Sequence, residues 1–257
     1  MRGRGNGETD VAQHGKVMVF DFDGTVSLGD GPVRSYARFV AAGLERGERA
    51  SFLADIEAGL AGVLPGDLDP LDGYDLVRLL SESFAVTDAA HSAAYASSRA
   101  ELASAAAPVI APFGLAGFLA GARKNALLVL ATNAPETRIA EALDSLGLEG
   151  AFDAVRTAVG KPAGLDSILD ELLADSTVAD PAEALVSIGD VWTNDLDPAY
   201  RRGATTALVG PRADAGATPT LRAVSLEELY PLLSAWLEPP HRTTSTASST
   251  LETKVEK

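Results

Sequence analysis

The chain has 257 residues, 46% of them hydrophobic, a net charge of −15 and no cysteine, so it can bury a full core but cannot form disulfides, use thiol catalysis or bind zinc through thiolates. No apolar run approaches the roughly 20 residues that span a bilayer, and an acidic chain is unsuited to nucleic acid, whose phosphates call for clustered Lys and Arg. These features favour the cytoplasm and a partner other than a membrane or a nucleic acid.

Residues 1–15 are Gly-rich and polar and lack the apolar stretch of a secretory signal. They read as disordered, as does the tail 239–257 with its run from Thr243 to Thr246. The first strong signal is the apolar run Val17–Phe20, which leads directly into Asp21-Phe22-Asp23-Gly24-Thr25. Such a run predicts a buried parallel strand. Asp21 and Asp23 then sit at its carboxyl end, where open α/β sheets place their ligand crevice. Two crowded carboxylates repel each other, so a cation, a proton or a covalent task must justify them. Gly24 lets the backbone turn sharply beside a ligand. The ordinary alternative is a solvated acidic turn.

The next segment, about 30–109, is helical in pattern. Val33, Tyr36, Ala37 and Val40 share one face, followed by Phe52, Ile56 and Leu60, then Leu76, Leu79, Leu80 and Phe84. Thr87 to Ala107 is rich in alanine, the best helix former. Beyond it, helices and strands alternate as in a parallel sheet. A helix over Pro112–Lys124 precedes a strand over Ala126–Ala131, which runs into Thr132-Asn133. A helix from Pro135 to Leu146 follows, closed by Gly147. After a strand at Ala154–Thr157, Gly160-Lys161 precedes a helix over Pro162–Leu173. The strand Ala184–Ile188 runs into Gly189-Asp190, with Asn194-Asp195 just beyond. A strand at Thr205–Val209 and a helix at Leu226–Leu237 complete the pattern, with Leu229, Leu232, Leu233 and Trp236 on one helix face. A βα unit takes about 30 residues. The steps from Thr132 to Lys161 and from Lys161 to Asp190 hold one unit each, whereas the step from Asp21 to Thr132 holds far more. The expected architecture is therefore an α/β core of residues 16–29 and 110–238, interrupted by an all-helical insertion at 30–109.

Asp21 and Asp23, Thr132, Lys161, and Asp190 with Asp195 follow in order, the acids and Thr132 each just beyond a strand and Lys161 at a helix start. This ordered set resembles the four motifs of the haloacid dehalogenase superfamily, and the resemblance runs from Val17 to Val209. It implies a Rossmann-like parallel sheet with a helical cap inserted after the first motif. It also implies that Asp21 is a nucleophile forming an aspartyl-phosphate and that Asp23 is the general acid and base. Phosphate would be held by Gly24, Asn133, Lys161 and the Thr132 hydroxyl with a nearby backbone N–H, aided by the N-terminus of the helix expected at Pro135. Mg2+ would be held by the carboxylates of Asp21, Asp190 and Asp195 and by the Asp23 carbonyl. Lys161 matters for an anionic substrate, because only it and Lys124 are lysines between Val17 and Thr250.

Each motif also has an ordinary reading. Thr132-Asn133 could cap the helix at Pro135, and Lys161 could cap a surface helix. Asp195 stands between a ligand and a capping or supporting acid, while Asp197 reads as structural. His14 and His91 read as surface residues, and Trp192 and Trp236 as packing, with Trp192 near the crevice mouth. Val191 departs from the small polar residue usual after Gly-Asp in that superfamily. Members that cleave carbon–halogen bonds lack the second acid, so Asp23 argues against dehalogenation. The absence of lysine from Val17 to Arg123 argues against Schiff-base phosphonate hydrolysis. The expectation is a Mg2+-dependent phosphomonoester hydrolase acting on a small phosphorylated metabolite. A phosphosugar mutase and a non-catalytic phospholigand-binding member are the alternatives. The insertion would act as a lid, with Arg34, Arg38, Arg46, Arg49, Arg78 and Arg99 as conceivable substrate contacts; its rival use is oligomerisation, giving a homodimer.

Overall fold

The computed structural model describes residues 15–210 and 216–238. The expectations for residues 1–14, including His14, and for 239–257 lie outside the described residues. The chain begins with β1 (Val17–Phe20) and then forms α1 (Gly31–Ala42), α2 (Arg46–Leu60), α3 (Gly73–Ser81) and α4 (Asp88–Ala100) before α5 (Leu115–Ala122). Then follow β2 (Leu127–Ala131), α6 (Ile139–Ser145), β3 (Ala154–Arg156), α7 (Ala163–Asp175), α8 (Pro181–Ala184) and β4 (Leu185–Gly189). The last elements are α9 (Asp197–Tyr200), β5 (Thr205–Val209), β6 (Leu221–Ala223) and α10 (Leu226–Leu237).

The strands form one six-stranded sheet in the order β3-β2-β1-β4-β5-β6, parallel at every pairing. Helices cover both faces, which is why β1, β2, β4 and β5 are buried at every position and their sequences are almost continuously apolar. Alternation sorts their side chains. Met18, Phe20, Leu128, Leu130, Val186 and Ile188 pack with Leu115 and Leu119 of α5 and Leu229 and Leu233 of α10. Val17, Val19, Leu127, Val129 and Leu185 pack with Leu165, Leu169 and Leu172 of α7. Each such burial is worth about 1.5–3 kcal/mol.

Helices α1 to α4 make a separate core from Val33, Tyr36, Val40, Phe52, Ile56 and Leu76. The chain passes from the sheet to these helices through a paired neck. The Leu28 N–H donates to the Ile110 carbonyl at 2.8 Å, and the Ile110 N–H donates back at 3.0 Å. Asp72 caps α3 by accepting the Asp75 N–H, and Thr87 caps α4 by accepting the Ala90 N–H.

Three expectations need correction, and one strand was not foreseen. The helix after Thr132 begins at Ile139, not Pro135, because Arg138 takes a left-handed φ of 59° and its Nε donates to the Leu102 carbonyl at 2.7 Å. Leu232 is 45% exposed, and Leu237 takes its expected place on the buried face of α10. His91 is not a simple surface residue: Nδ1 meets the Tyr36 hydroxyl at 2.7 Å and Nε2 meets Ser81 Oγ at 2.9 Å. The short edge strand β6 was not expected, since three residues carry too little pattern to read.

Candidate active site

β1 and β4 are neighbours from which the chain moves outward in opposite directions, the switch point where such sheets open a crevice. The Asp21 N–H donates to the Ile188 carbonyl at 2.9 Å, so the β1–β4 ladder extends to the first acid and fixes its backbone. Gly24 has a φ of +86°, and a Cβ there would come within 2.3 Å of Asp190 Oδ2. A Cβ on Gly189 would meet Asp195 Cβ at 2.4 Å. Both glycines are needed for the acidic segments to approach one another.

Asp21, Asp23, Thr132, Asn133, Lys161, Asp190 and Asp195 all face one cavity of about 190 Å3. Lys161 is central. Its Nζ donates to Asp21 Oδ1 at 2.6 Å and to Asp195 Oδ1 at 2.8 Å, with its side chain only 3% exposed. Asn133 positions it by accepting the Lys161 backbone N–H on Oδ1 at 2.6 Å. Asp195 is held in turn, for its Oδ2 accepts the Val191 N–H at 3.0 Å and its carbonyl accepts Ser187 Oγ at 2.6 Å. Thr132 Oγ1 accepts the Ala134 N–H at 3.0 Å, which shapes the loop after β2. With α6 starting at Ile139, that loop rather than a helix end borders Thr132. Asp197 lies apart from this group and pairs with Arg201.

Burial raises the Asp21 carboxyl to about 7, with Asp195 adding to the rise and Lys161 opposing it. Burial, with Asp21 and Asp195, also pushes Asp190 well above the usual carboxylate range. Burial alone would lower Lys161, but Asp21 and Asp195 hold its proton and raise it. Several crowded carboxyls thus share one ammonium, and burial and mutual repulsion make them hold protons that a bound cation could replace. One carboxylate oxygen from each of Asp21, Asp190 and Asp195 lies within 4.8 Å of the others. Hard oxygen donors so grouped fit a Mg2+-type cation. Both oxygens of Asp195 already accept hydrogen bonds, so its first task is to anchor Lys161.

Three residues of the helical segment enter the same cavity: Asp72, Tyr74 and Tyr95. Behind them, Arg99 is 1% exposed. Its Nη1 lies 3.3 and 3.4 Å from the Asp23 carboxylate oxygens and 3.2 Å from the Tyr74 hydroxyl. Among the described residues, buried Arg99 Nε and Nη2 find no hydrogen-bond partner. Burial raises Asp23, and Arg99 works against that rise. The other arginines named above point elsewhere: Arg34 pairs with Glu57, Arg38 with Glu101 and Arg78 with Asp75 and Glu82. Arg49 donates to the Leu44 and Ala42 carbonyls, and Arg46 is exposed. Sequence reasoning did not name Tyr74, and it named Arg99 only as one of six conceivable substrate contacts. The available signal was a lone arginine in an Ala-rich helix.

No protein-family model matches the sequence, and no curated protein does. Solved structures do. The HAD-hydrolase YfnB from Bacillus subtilis, bound to magnesium, is 18% identical with a TM-score of 0.56, over 85% of this chain and 98% of that one. A HAD phosphatase from Thermococcus onnurineus is 21% identical with a TM-score of 0.51, over 85% and 97%. The L-2-haloacid dehalogenase from Xanthobacter autotrophicus is 15% identical with a TM-score of 0.51, over 85% and 98%. The strand order, the switch-point acids and these matches lead to one conclusion: the chain has the haloacid dehalogenase-like α/β fold.

Proposed function

We propose that the protein is a Mg2+-dependent phosphomonoester hydrolase acting on a small phosphorylated metabolite through an aspartyl-phosphate on Asp21. The observation that carries this reading is Lys161 Nζ at 2.6 Å from Asp21 Oδ1, in a cavity shared with Asp23 and Asp190. Asp21 Oδ attacks phosphorus as the bond from phosphorus to the ester oxygen breaks. Asp23 gives its proton to that leaving oxygen, then takes one from the water that hydrolyses the acyl phosphate. Lys161, fixed by Asn133 and Asp195, offsets the charge shared by Asp21 and the phosphoryl oxygens. The Thr132 hydroxyl, which lines the same cavity, would donate to one of those oxygens.

Asp21 and Asp190, with the Asp23 carbonyl and the nearby Asp195, would hold the cation. When bound, Mg2+ supplies neutralisation of the phosphate and of the acids around it. Asp23 also separates this reading from carbon–halogen cleavage, since a departing halide needs no proton. The helical segment over the crevice would act as a cap, and a cysteine-free chain working on metabolites suits the cytoplasm.

The experiment is hydrolysis of p-nitrophenyl phosphate by the purified protein with Mg2+, with excess EDTA, and with Asp21→Asn. Turnover should stop in EDTA and return with Mg2+. Asp21→Asn should lower kcat by at least about a thousandfold, as loss of a covalent nucleophile does elsewhere. Full activity in EDTA or in Asp21→Asn would overturn the proposal.

A further inference from the structure

The helical segment brings three tyrosines together beside the crevice. Tyr95 of α4 meets Tyr74 edge to face with ring centroids 5.6 Å apart, and meets Tyr36 in the same way at 5.8 Å. Contacts of this kind hold a ring in place. Two of the three hydroxyls are engaged within the protein. Tyr36 lies 2.7 Å from His91 Nδ1, and Tyr74 accepts from Arg99 Nη1 at 3.2 Å and lies 3.5 Å from Asp23 Oδ1. Among the described residues, no hydrogen bond engages the Tyr95 hydroxyl. A phenylalanine would make the same ring contacts, and a half-buried hydroxyl without a protein partner adds nothing to folding. Packing therefore does not account for this oxygen.

Its position says what it could meet. Tyr95 stands four residues before Arg99, so the two share one face of α4. It lines the cavity that holds Asp23, Thr132 and Lys161. The charged groups that act most on it are Arg99, Asp23 and Asp72, rather than Asp21 or Lys161. The Tyr95 hydroxyl thus belongs to the end of the cavity where Asp23 would meet the ester oxygen, and Lys161 to the end that would take the phosphoryl oxygens. Burial pushes this hydroxyl up to about 12, so it keeps its proton near neutral pH and can both donate and accept. Asp72, from the same segment, puts carboxyl oxygens into the same cavity. An alcohol hydroxyl accepts one hydrogen bond and donates another, which matches this pair.

We propose that Tyr95 is a specificity-determining residue whose hydroxyl bonds a hydroxyl carried by the leaving alcohol close to the ester oxygen, so that the substrate class is a polyhydroxy phosphomonoester. The inference rests on the phosphatase reading above and deepens it. A site built to hydrogen-bond a substrate hydroxyl rejects the analogue that lacks it, because its own polar group is then left unpaired.

The test measures kcat/KM with Mg2+ for propyl phosphate and 2,3-dihydroxypropyl phosphate, on the wild type and on Tyr95→Phe, using p-nitrophenyl phosphate as the activity control. The two esters share a three-carbon body and differ only in hydroxyls. Any difference in the acidity of their alcohols is common to both proteins and cancels between them. The wild type should prefer the dihydroxy ester by about tenfold or more, and Tyr95→Phe should bring that ratio to within about threefold of unity, the scale of one hydrogen bond. Equal turnover of the two esters by the wild type would overturn the inference, whatever the variant does. So would a Tyr95→Phe ratio equal to that of the wild type, or an equal fall on both esters, which marks a structural role or a contact with the phosphate; each of these leaves the phosphatase reading standing. Absence of wild-type turnover on both esters and on the control would overturn both.

Discussion

Asp23 gains its surroundings from a part of the chain far away in sequence. Arg99 and Tyr74 meet its carboxylate from the helical segment, at 3.3 and 3.5 Å. If Asp23 is the proton donor, Arg99 is a positioning residue and acts through it. Arg99→Met should cut kcat/KM for an alkyl phosphate by about ten- to a hundredfold, within the range that general acid catalysis contributes. It should spare p-nitrophenyl phosphate, whose leaving group needs no proton, and Arg99→Lys should restore part of the loss. An equal fall on both substrates would mean a merely structural role. The acids and Lys161 were legible in the sequence, because each sits in a short pattern tied to one strand end or turn. Tyr74 was not, and Arg99 stood out no more than five other arginines, because only tertiary packing brings them to Asp23.

At the scale of elements, the apolar runs made β1, β2, β4 and β5 readable, and the helical periodicity marked the segment after β1. The start of α6 was misread because Pro135 suits a helix start, while the Arg138–Leu102 hydrogen bond that sets the true boundary is non-local. That same bond ties the return from α4 to the loop after Thr132. The paired neck at Leu28 and Ile110 gives the helical segment two adjacent crossings to the sheet, an arrangement suited to a lid that closes over the crevice. Small phosphomonoesters should then be hydrolysed at least about tenfold faster than a phosphopeptide at matched concentration. Equal or better turnover of the peptide would mean that the helices do not close over the site, and would favour their use in oligomerisation.

For the molecule as a whole, the net charge of −15 and the acidic crevice make proton and cation binding part of stability. Asp21 is raised to about 7, and Asp190 is also raised well above the usual carboxylate range. The folded state therefore holds protons that the unfolded chain releases at ordinary carboxylate values. The stability that these protons contribute is complete below about pH 4. It is lost as pH climbs through about 7. Metal-free protein should show a falling Tm across that window. A cation that takes the place of the protons should raise Tm more at about pH 8 than at about pH 5. Scanning fluorimetry with and without Mg2+ checks this, and Asp190→Asn should remove most of the pH-dependent increment. A Mg2+ increment that is flat with pH would refute the linkage.

The claim that joins these scales is that Asp21 carries the phosphoryl group. It is tested most directly by acid-quenching the Asp23→Asn variant during turnover, when slowed hydrolysis lets the intermediate accumulate, and mapping the peptides by mass spectrometry. The account predicts the mass of one phosphoryl group on Asp21, absent from the Asp21→Asn, Asp23→Asn double variant. A phosphoryl group on any other residue, or wild-type turnover by Asp21→Asn alone, would contradict it.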